Sequence, residues 1–127
     1  MDACCGQAIF WQDGSIGADL ENGLYALTPV PATGFVAGFV KGNADNHFAV
    51  RVGDGQQDGS LRTVYDGARP KGYEVMKKQG GIILGIGGDN SPWGAGIFYE
   101  GAMTIGYSPN ATEEAIMANI VAAGYGK

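Results

Sequence analysis

Two carboxylates stand two residues apart in the stretch 18–23, which reads Ala-Asp-Leu-Glu-Asn-Gly. In an extended strand, Asp19 and Glu21 would point to the same face. Like charges on one face repel, so one of two such carboxyls can acquire a raised pKa, which is costly in a buried place. A solvated strand edge that leads into an Asn-Gly turn explains the same residues without any chemistry. Spacing alone leaves both interpretations open.

A further carboxylate, Asp89, follows the apolar run 82–86 and the pair Gly87-Gly88. Glycines let the backbone approach a ligand closely, so Asp89 would stand at the exit of a strand beside such an approach. The stretch differs from a phosphate-binding loop because it lacks the Gly-Lys-Ser/Thr ending and no helical pattern follows it. Nucleotide binding is therefore rejected. A tight Gly-Asp-Asn turn is the alternative to a reactive carboxylate.

The cysteines, the histidine and one further glutamate are other possible sources of chemistry. Cys4 and Cys5 are adjacent and are the two cysteines of the chain, so they are a poor zinc site. They could form a strained vicinal disulfide, or remain thiols on opposite faces of a strand. His47 has no triad pattern near it and is expected to be a surface or cross-strand residue. Glu100 is expected to be a structural or solvated partner.

Composition excludes several classes of function. The formal net charge is −5, and the eight Lys and Arg are scattered apart from Lys77-Lys78, so a nucleic-acid surface is not expected. The apolar runs are far shorter than the ~20 residues that span a bilayer, so no membrane partner is expected. The first residues lack the basic and apolar regions of a signal peptide. The 127 residues suffice for one core, and we expect a single domain over 1–127.

The 23 glycines interrupt short apolar runs without a period, which is typical of a sheet protein with many turns. Strands are predicted at 6–11, 15–20, 23–27, 34–41, 47–52, 60–65, 81–86 and 94–104. Turns are predicted at 12–14, 42–45, 53–55 and 66–67. This spacing indicates an all-β antiparallel sandwich or barrel. The strand from 34 to 41 is apolar on both faces, so a central position is expected for it.

One short helix is predicted near the carboxyl end. Asn110 is a candidate cap, and Glu113 stands three residues later as in a capping box. Glu113 and Glu114 would lie in the first turn, where the helix dipole favours negative charge. Ile116, Ile120 and Ala123 form an apolar stripe at helical spacing. Gly124 is a natural terminator.

Six separated blocks also carry a resemblance to a known family. They are Asp2–Cys5, Asp19–Leu24, Gly67–Pro70, Ile82–Ser91, Phe98–Thr104 and Asn119–Ala123. Together, and in this order, they resemble the catalytic domain of glycoside hydrolase family 54, the α-L-arabinofuranosidase B type, over its carboxy-terminal part. The resemblance implies a concanavalin-like, jelly-roll type β-sandwich that releases terminal α-L-arabinofuranosyl groups with retention of configuration.

The resemblance also implies roles for individual residues. Glu21 corresponds to the family nucleophile and Asp89 to the acid/base. Cys4 and Cys5 correspond to a vicinal disulfide that lies against the sugar. Further sugar contacts are implied at Asp19, Asn22 and Gly88.

Two functional hypotheses follow. The first is a retaining hydrolase of arabinose-containing oligo- or polysaccharides, which needs no metal or cofactor. The second is a non-catalytic carbohydrate-binding or structural remnant of that domain. A homo-oligomer, in which neighbouring chains complete the fold, is a weaker option. The resemblance implies a secreted protein, and the cysteine pair also favours an extracellular origin.

Overall fold

The computed structural model describes residues 8–12, 15–19, 24–29, 34–57, 59–69, 71 and 97–127, the first three ranges as backbone only. Six strands and one helix lie in these residues. They are β1 (Ala8–Gln12), β2 (Ser15–Asp19), β3 (Leu24–Pro29), β4 (Val36–Gly42), β5 (His47–Asp54), β6 (Arg62–Ala68) and α1 (Asn110–Ala123). The described chain is therefore mostly β, with one helix, as its turn-rich pattern predicts. The predicted strand at 81–86 lies outside the described residues.

The first sheet contains β1, β2 and β3 in sequence order, and both pairings are antiparallel. Gln12 pairs with Ser15, and residues 13 and 14 of the turn predicted at 12–14 lie outside the described residues. Asp19 pairs with Ala8 on one side and with Leu24 on the other. The end of β2 is therefore held between two neighbouring strands.

The second sheet contains β4, β5 and β6, again antiparallel and in sequence order. Among the described strands β4 pairs with β5 alone, and β5 lies between β4 and β6. The central position expected for the strand around 34–41 is therefore not seen within the described part of the chain. Phe48 and Val50 of β5 are completely buried and pack with Val40 and Tyr65. Edge and centre are decided by pairing with distant residues, which the apolar content of one strand does not encode.

Both faces of β5 are buried. Val50 pairs with Val40, so the two share one face of the sheet. Arg51 points to the opposite face and is also buried, at 6% exposure. Beyond this sheet, β1 comes within 8 Å of β4 and β3 comes within 8 Å of β6, measured between Cα atoms.

The connection between β4 and β5 is the turn predicted at 42–45. The side-chain Oδ1 of Asn43 accepts hydrogen bonds from the backbone N–H groups of Asp45 and His47, at 3.0 and 3.2 Å. Asn46 has a φ of 61°, a left-handed conformation that asparagine tolerates. Arg69 donates to the carbonyl of Asn43 at 3.0 Å and ties this turn to the end of β6. The turn at 53–55 begins later than predicted, because β5 continues to Asp54.

The predicted turn at Asp66-Gly67 is wrong. Asp66 pairs with Ala49 and Gly67 with Phe48, so both belong to β6. Glycine is accommodated here for a different reason, since a Cβ on Gly67 would lie 3.0 Å from the hydroxyl of Tyr65. The Asp-Gly pair is a local turn signal, and the cross-strand pairing overrides it.

The helix begins and ends close to the predicted residues, but its start has a different construction. Pro109 is the N-cap, and no side chain caps the helix. The capping box is therefore wrong, because Asn110 binds Lys41 through Oδ1 instead. Gly124 ends the helix as predicted, with φ 71° and ψ 39°, and its N–H donates to the carbonyl of Val121.

The apolar stripe predicted for the helix faces inward only in part, because Ile120 is half-buried beside Gly55. Glu113 and Met117 are the buried residues of α1, whereas Ile116 is 45% exposed and Ala123 is exposed. The helix packs Met117 beside Gly53 of β5. The face of α1 that packs on the sheet therefore includes a buried glutamate and differs from the face that hydrophobicity alone predicts.

The strand predicted at 94–104 is not formed in its described part. Residues 97–104 are irregular, and they pair with none of the six strands in the described chain. A strand requires a partner for its backbone groups, and the local pattern cannot supply one.

Candidate functional site

Most of the sugar-binding and catalytic candidates lie outside the described residues. These are Cys4, Cys5, Glu21, Asn22, Gly88 and Asp89. Asp19 is the exception. It is the last residue of β2, and it pairs with Ala8 of β1 and with Leu24 of β3. The shared face of Asp19 and Glu21, the pairing of the cysteines and the approach of Asp89 therefore stay predictions.

A buried ion-pair cluster occupies the space between the second sheet and α1. It consists of Lys41, Arg51, Glu113 and the more exposed Glu114. Lys41 is 4% exposed and Glu113 is 3% exposed, so both charges are withdrawn from water. Charges at such depth are normally paired, because an isolated one carries a large desolvation cost.

Glu113 is the centre of this cluster. Its Oε1 lies 3.0 Å from Nζ of Lys41 and accepts a hydrogen bond from Ser108 Oγ at 2.9 Å. Its Oε2 accepts a hydrogen bond from Nη1 of Arg51 at 2.9 Å. Lys41 also donates to Asn110 Oδ1 at 2.6 Å and to the Ser108 carbonyl at 2.9 Å. The Glu113 carboxylate of α1 thus contacts both β4, through Lys41, and β5, through Arg51.

Arg51 is the second cation of the cluster and pairs with both glutamates. Its Nη2 donates to Oε1 of Glu114 at 3.0 Å, and its Nη1 also reaches the Asn110 carbonyl at 3.3 Å. Burial lowers the pKa of Arg51, but the hydrogen bonds to Glu113 and Glu114 and their charges outweigh burial and raise it overall. Two cations face two carboxylates, so the cluster is suited to holding α1 on the sheet rather than to transferring a proton.

Sequence reasoning did not assign this cluster, although one signal was present. Lys41 follows Ala37 and Phe39 on one face of its strand, and Arg51 interrupts an apolar strand. A cation on an otherwise apolar face indicates a buried partner. The partner could not be identified, because Glu113 is 62 residues from Arg51 in sequence.

His47 is a cross-strand residue at the surface, as predicted. Its Nε2 lies 2.5 Å from Oδ1 of Asp66 on the neighbouring strand, with side-chain exposures of 42% and 46%. Its ring meets the edge of Tyr107 at 5.7 Å between centroids. Burial raises the pKa of the Tyr107 hydroxyl, and the charges of Asp66 and Glu113 add to this effect.

The rings of Phe35, Tyr99 and Tyr125 form an aromatic cluster near the carboxyl end of the chain. The ring centroid of Tyr99 lies 5.1 Å from Phe35 and 5.0 Å from Tyr125. Glu100 is an exposed residue, as predicted, but it lies in irregular chain rather than on a strand. Burial raises the pKa of the Tyr125 hydroxyl, and a hydrogen bond to Glu100 raises it further.

A shallow groove of about 310 Å³ lies beside this cluster, between Glu100 and the outer side of α1. Its other lining residues are Thr112, Ala115, Ile116, Asn119 and Ile120. Within the described residues, no group of three His, Cys, Asp or Glu side chains is arranged to hold a metal ion. No helix in the described part of the chain has the length and apolarity needed to cross a membrane.

Comparison with known proteins gives the class of the molecule. The family model described as "Alpha-L-arabinofuranosidase B, catalytic" matches residues 1–126. The chain therefore belongs to the family of α-L-arabinofuranosidase B catalytic domains. No solved structure gives a significant match.

Similar curated proteins come from fungi. An arabinofuranosidase/B-xylosidase of Trichoderma koningii is 49% identical over 94% of this chain and 27% of its own length. An α-L-arabinofuranosidase of Hypocrea jecorina is 48% identical, over 94% and 27%. An α-L-arabinofuranosidase B of Emericella nidulans is 50% identical over 87% and 23%. The chain spans about a quarter of the length of these relatives.

Proposed function

We propose that this chain provides the reacting carboxylates of a retaining glycoside hydrolase that releases terminal α-L-arabinofuranosyl groups. The observation that carries the proposal is the family match over residues 1–126, which includes both Glu21 and Asp89. The substrate class is an arabinose-containing oligo- or polysaccharide, as the names of the relatives suggest. We also propose that the chain corresponds to the carboxy-terminal part of the family domain.

The proposed reaction has two steps. Asp89 protonates the glycosidic oxygen while Glu21 attacks the anomeric carbon, which forms a glycosyl-enzyme and releases the leaving group. Asp89, now a carboxylate, then removes a proton from water, and the water displaces Glu21 and releases arabinose. Two inversions give net retention. The carboxyl groups of such pairs stand about 5–5.5 Å apart.

We propose the remaining parts of the site on the same resemblance. Asp19, Asn22 and the backbone of Gly88 would hydrogen-bond the sugar, and Cys4 and Cys5 would present a vicinal disulfide to it. Asp19 ends β2 between two paired strands, and a rigid strand end is a suitable support for a ligand-binding side chain. An extracellular location is proposed with the disulfide, since such bonds persist in oxidising compartments.

For the fold, we propose that the two sheets pack face to face as a concanavalin-like, jelly-roll type sandwich. The face of Phe48 and Val50 is completely buried on the side away from α1, so other chain must cover it. The approach of β1 to β4 and of β3 to β6 is consistent with the first sheet in that role.

The test is hydrolysis of an aryl α-L-arabinofuranoside by pure protein, with two single substitutions. Glu21→Gln should abolish turnover on every substrate, because no nucleophile remains. Asp89→Asn should affect poor leaving groups most, because a nitrophenolate leaves with little acid assistance. Azide should partly rescue Asp89→Asn on the nitrophenyl substrate and should not rescue Glu21→Gln in this way. Equal residual rates for both variants on all leaving groups, with no azide response, would contradict the assigned roles.

In the second hypothesis the protein binds carbohydrate but does not hydrolyse it. It is a non-catalytic domain that binds arabinose-containing carbohydrate. Binding of arabinose without hydrolysis of the aryl substrate would select it over the enzyme.

A further inference from the structure

One tripeptide of the chain has the sequence of an acceptor for asparagine-linked sugar. Asn110-Ala111-Thr112 is the one place where an asparagine stands two residues before a serine or threonine without proline between them. All three residues are exposed, in the first turn of α1. Exposure is the first condition for such a site, because the attached sugar is bulky and must project into solvent. The other asparagine of the helix, Asn119, has Val121 at the third position and lacks the required hydroxyl.

The hydrogen bonds of the Asn110 amide identify which of its atoms is available. Nζ of Lys41 lies 2.6 Å from the side-chain oxygen Oδ1. An ammonium group can only donate, so the amide atom that faces Lys41 must be the oxygen and not the nitrogen. The nitrogen Nδ2 donates to no group in the described part of the chain. Since Lys41 is buried and Asn110 is exposed, the oxygen faces the buried ion-pair cluster and the nitrogen is left for modification.

We propose that Asn110 is a site of N-linked glycosylation. The site rests on the proposed extracellular location, since such sugars are attached during secretion. In the transfer, Nδ2 bonds to the anomeric carbon of a lipid diphosphate-linked oligosaccharide and loses one proton. The bond from that carbon to the diphosphate oxygen breaks, and the diphosphate leaves with the electron pair.

The product fits the folded chain because it is still an amide. It keeps one N–H group and the oxygen Oδ1, so the hydrogen bond from Lys41 is retained. Lys41 also keeps its ion pair with Glu113, and the sugar adds no charge to the cluster. The folded protein can therefore carry the glycan at the start of α1 without losing a contact that holds the helix on the sheet.

The test is production of the whole chain in yeast behind a cleavable secretion leader, with protein from both medium and cells analysed by mass spectrometry. The parent should carry a glycan that an endoglycosidase trims, and peptide mapping should place it on Asn110. Thr112→Ala should lose the glycan completely, because the transfer requires the hydroxyl, whereas Thr112→Ser should keep it. Neither change should disturb the fold, since position 112 is exposed. Asn119, exposed on the same helix, is the internal control and should stay unmodified.

Three results would overturn the proposal. One is an unmodified Asn110 in the parent while a reporter glycoprotein from the same cells is glycosylated. Another is a glycan that persists at Asn110 in Thr112→Ala. The third is a glycosylated parent that is retained in the cells, or that has a lower urea midpoint than Thr112→Ala, because the fold would then not accommodate the sugar. None of these readouts depends on hydrolysis, so the glycosylation site and the catalytic proposal can fail separately.

Discussion

Glu113→Gln is the most informative substitution in the described part of the molecule, because it removes one charge at nearly constant shape. The carboxylate faces Lys41 at 3.0 Å and Arg51 at 2.9 Å, and its side chain is 4% exposed. Breaking a buried ion pair by removing one partner costs about 3–5 kcal/mol, because the other charge stays buried. Lys41 keeps its bonds to Asn110 and Ser108, so we expect the lower half of that range.

Glu114→Gln is the matched control. Glu114 makes one bond to Arg51, at 3.0 Å, and its side chain is 56% exposed. Such a pair contributes about 0–1 kcal/mol. The free energy of unfolding should be measured by urea titration with far-UV circular dichroism for the parent and for both variants. Since small domains have only about 5–15 kcal/mol of stability, the Glu113 variant should show a clearly lower midpoint.

The explanation depends on burial, and one result would refute it. If the two glutamate variants lose the same free energy, and this loss is below about 1 kcal/mol, the cluster does not hold α1 on the sheet. A loss for Glu113→Gln that disappears in high salt would also contradict it, because salt screens exposed pairs far more than buried ones.

Three further predictions concern packing and titration. Met117→Ala should cost about 2–5 kcal/mol in urea titrations, whereas Ile116→Ala should cost little, because Met117 is completely buried and Ile116 is not; similar losses would contradict the observed helix face. Gly53→Ala should cost about 1–3 kcal/mol, since the added Cβ would lie 2.8 Å from the Ser60 carbonyl oxygen; an unchanged urea midpoint would show that the strand can shift. Burial raises the pKa of Tyr107, so its share of stability is complete below the usual value near 10 and is lost as pH rises through the higher folded value. A phenolate absorbance titration of the parent against Tyr107→Phe should show one tyrosine that ionises late, and a difference curve at the usual pH would refute this.

The sequence alone predicted the helix and the β4–β5 turn, because short-range interactions stabilise both. The helix over 110–123 and its end at Gly124 follow from helical composition and from the left-handed conformation that glycine adopts easily. The turn at 42–45 follows from the asparagine side chain that binds the backbone ahead of it. Family membership was also contained in the sequence, in blocks that span almost the whole chain.

Only the tertiary structure decided which elements are central and which faces are inside. The strand β4 carries apolar residues on both faces, yet β5 is the central one of the three described strands, because strand order is set by pairing across the whole sheet. Residues 97–104 have the composition of a strand and remain irregular, because backbone pairing needs a partner from elsewhere. The helix turns Glu113 inward and leaves Ile116 45% exposed. The reason is that Lys41 and Arg51, 72 and 62 residues away in sequence, lie on the sheet opposite Glu113. The free energies of burial and of ion pairing depend on groups that are distant in sequence. A local sequence pattern can therefore suggest that a side chain is buried or paired, but the partner is determined by the tertiary structure.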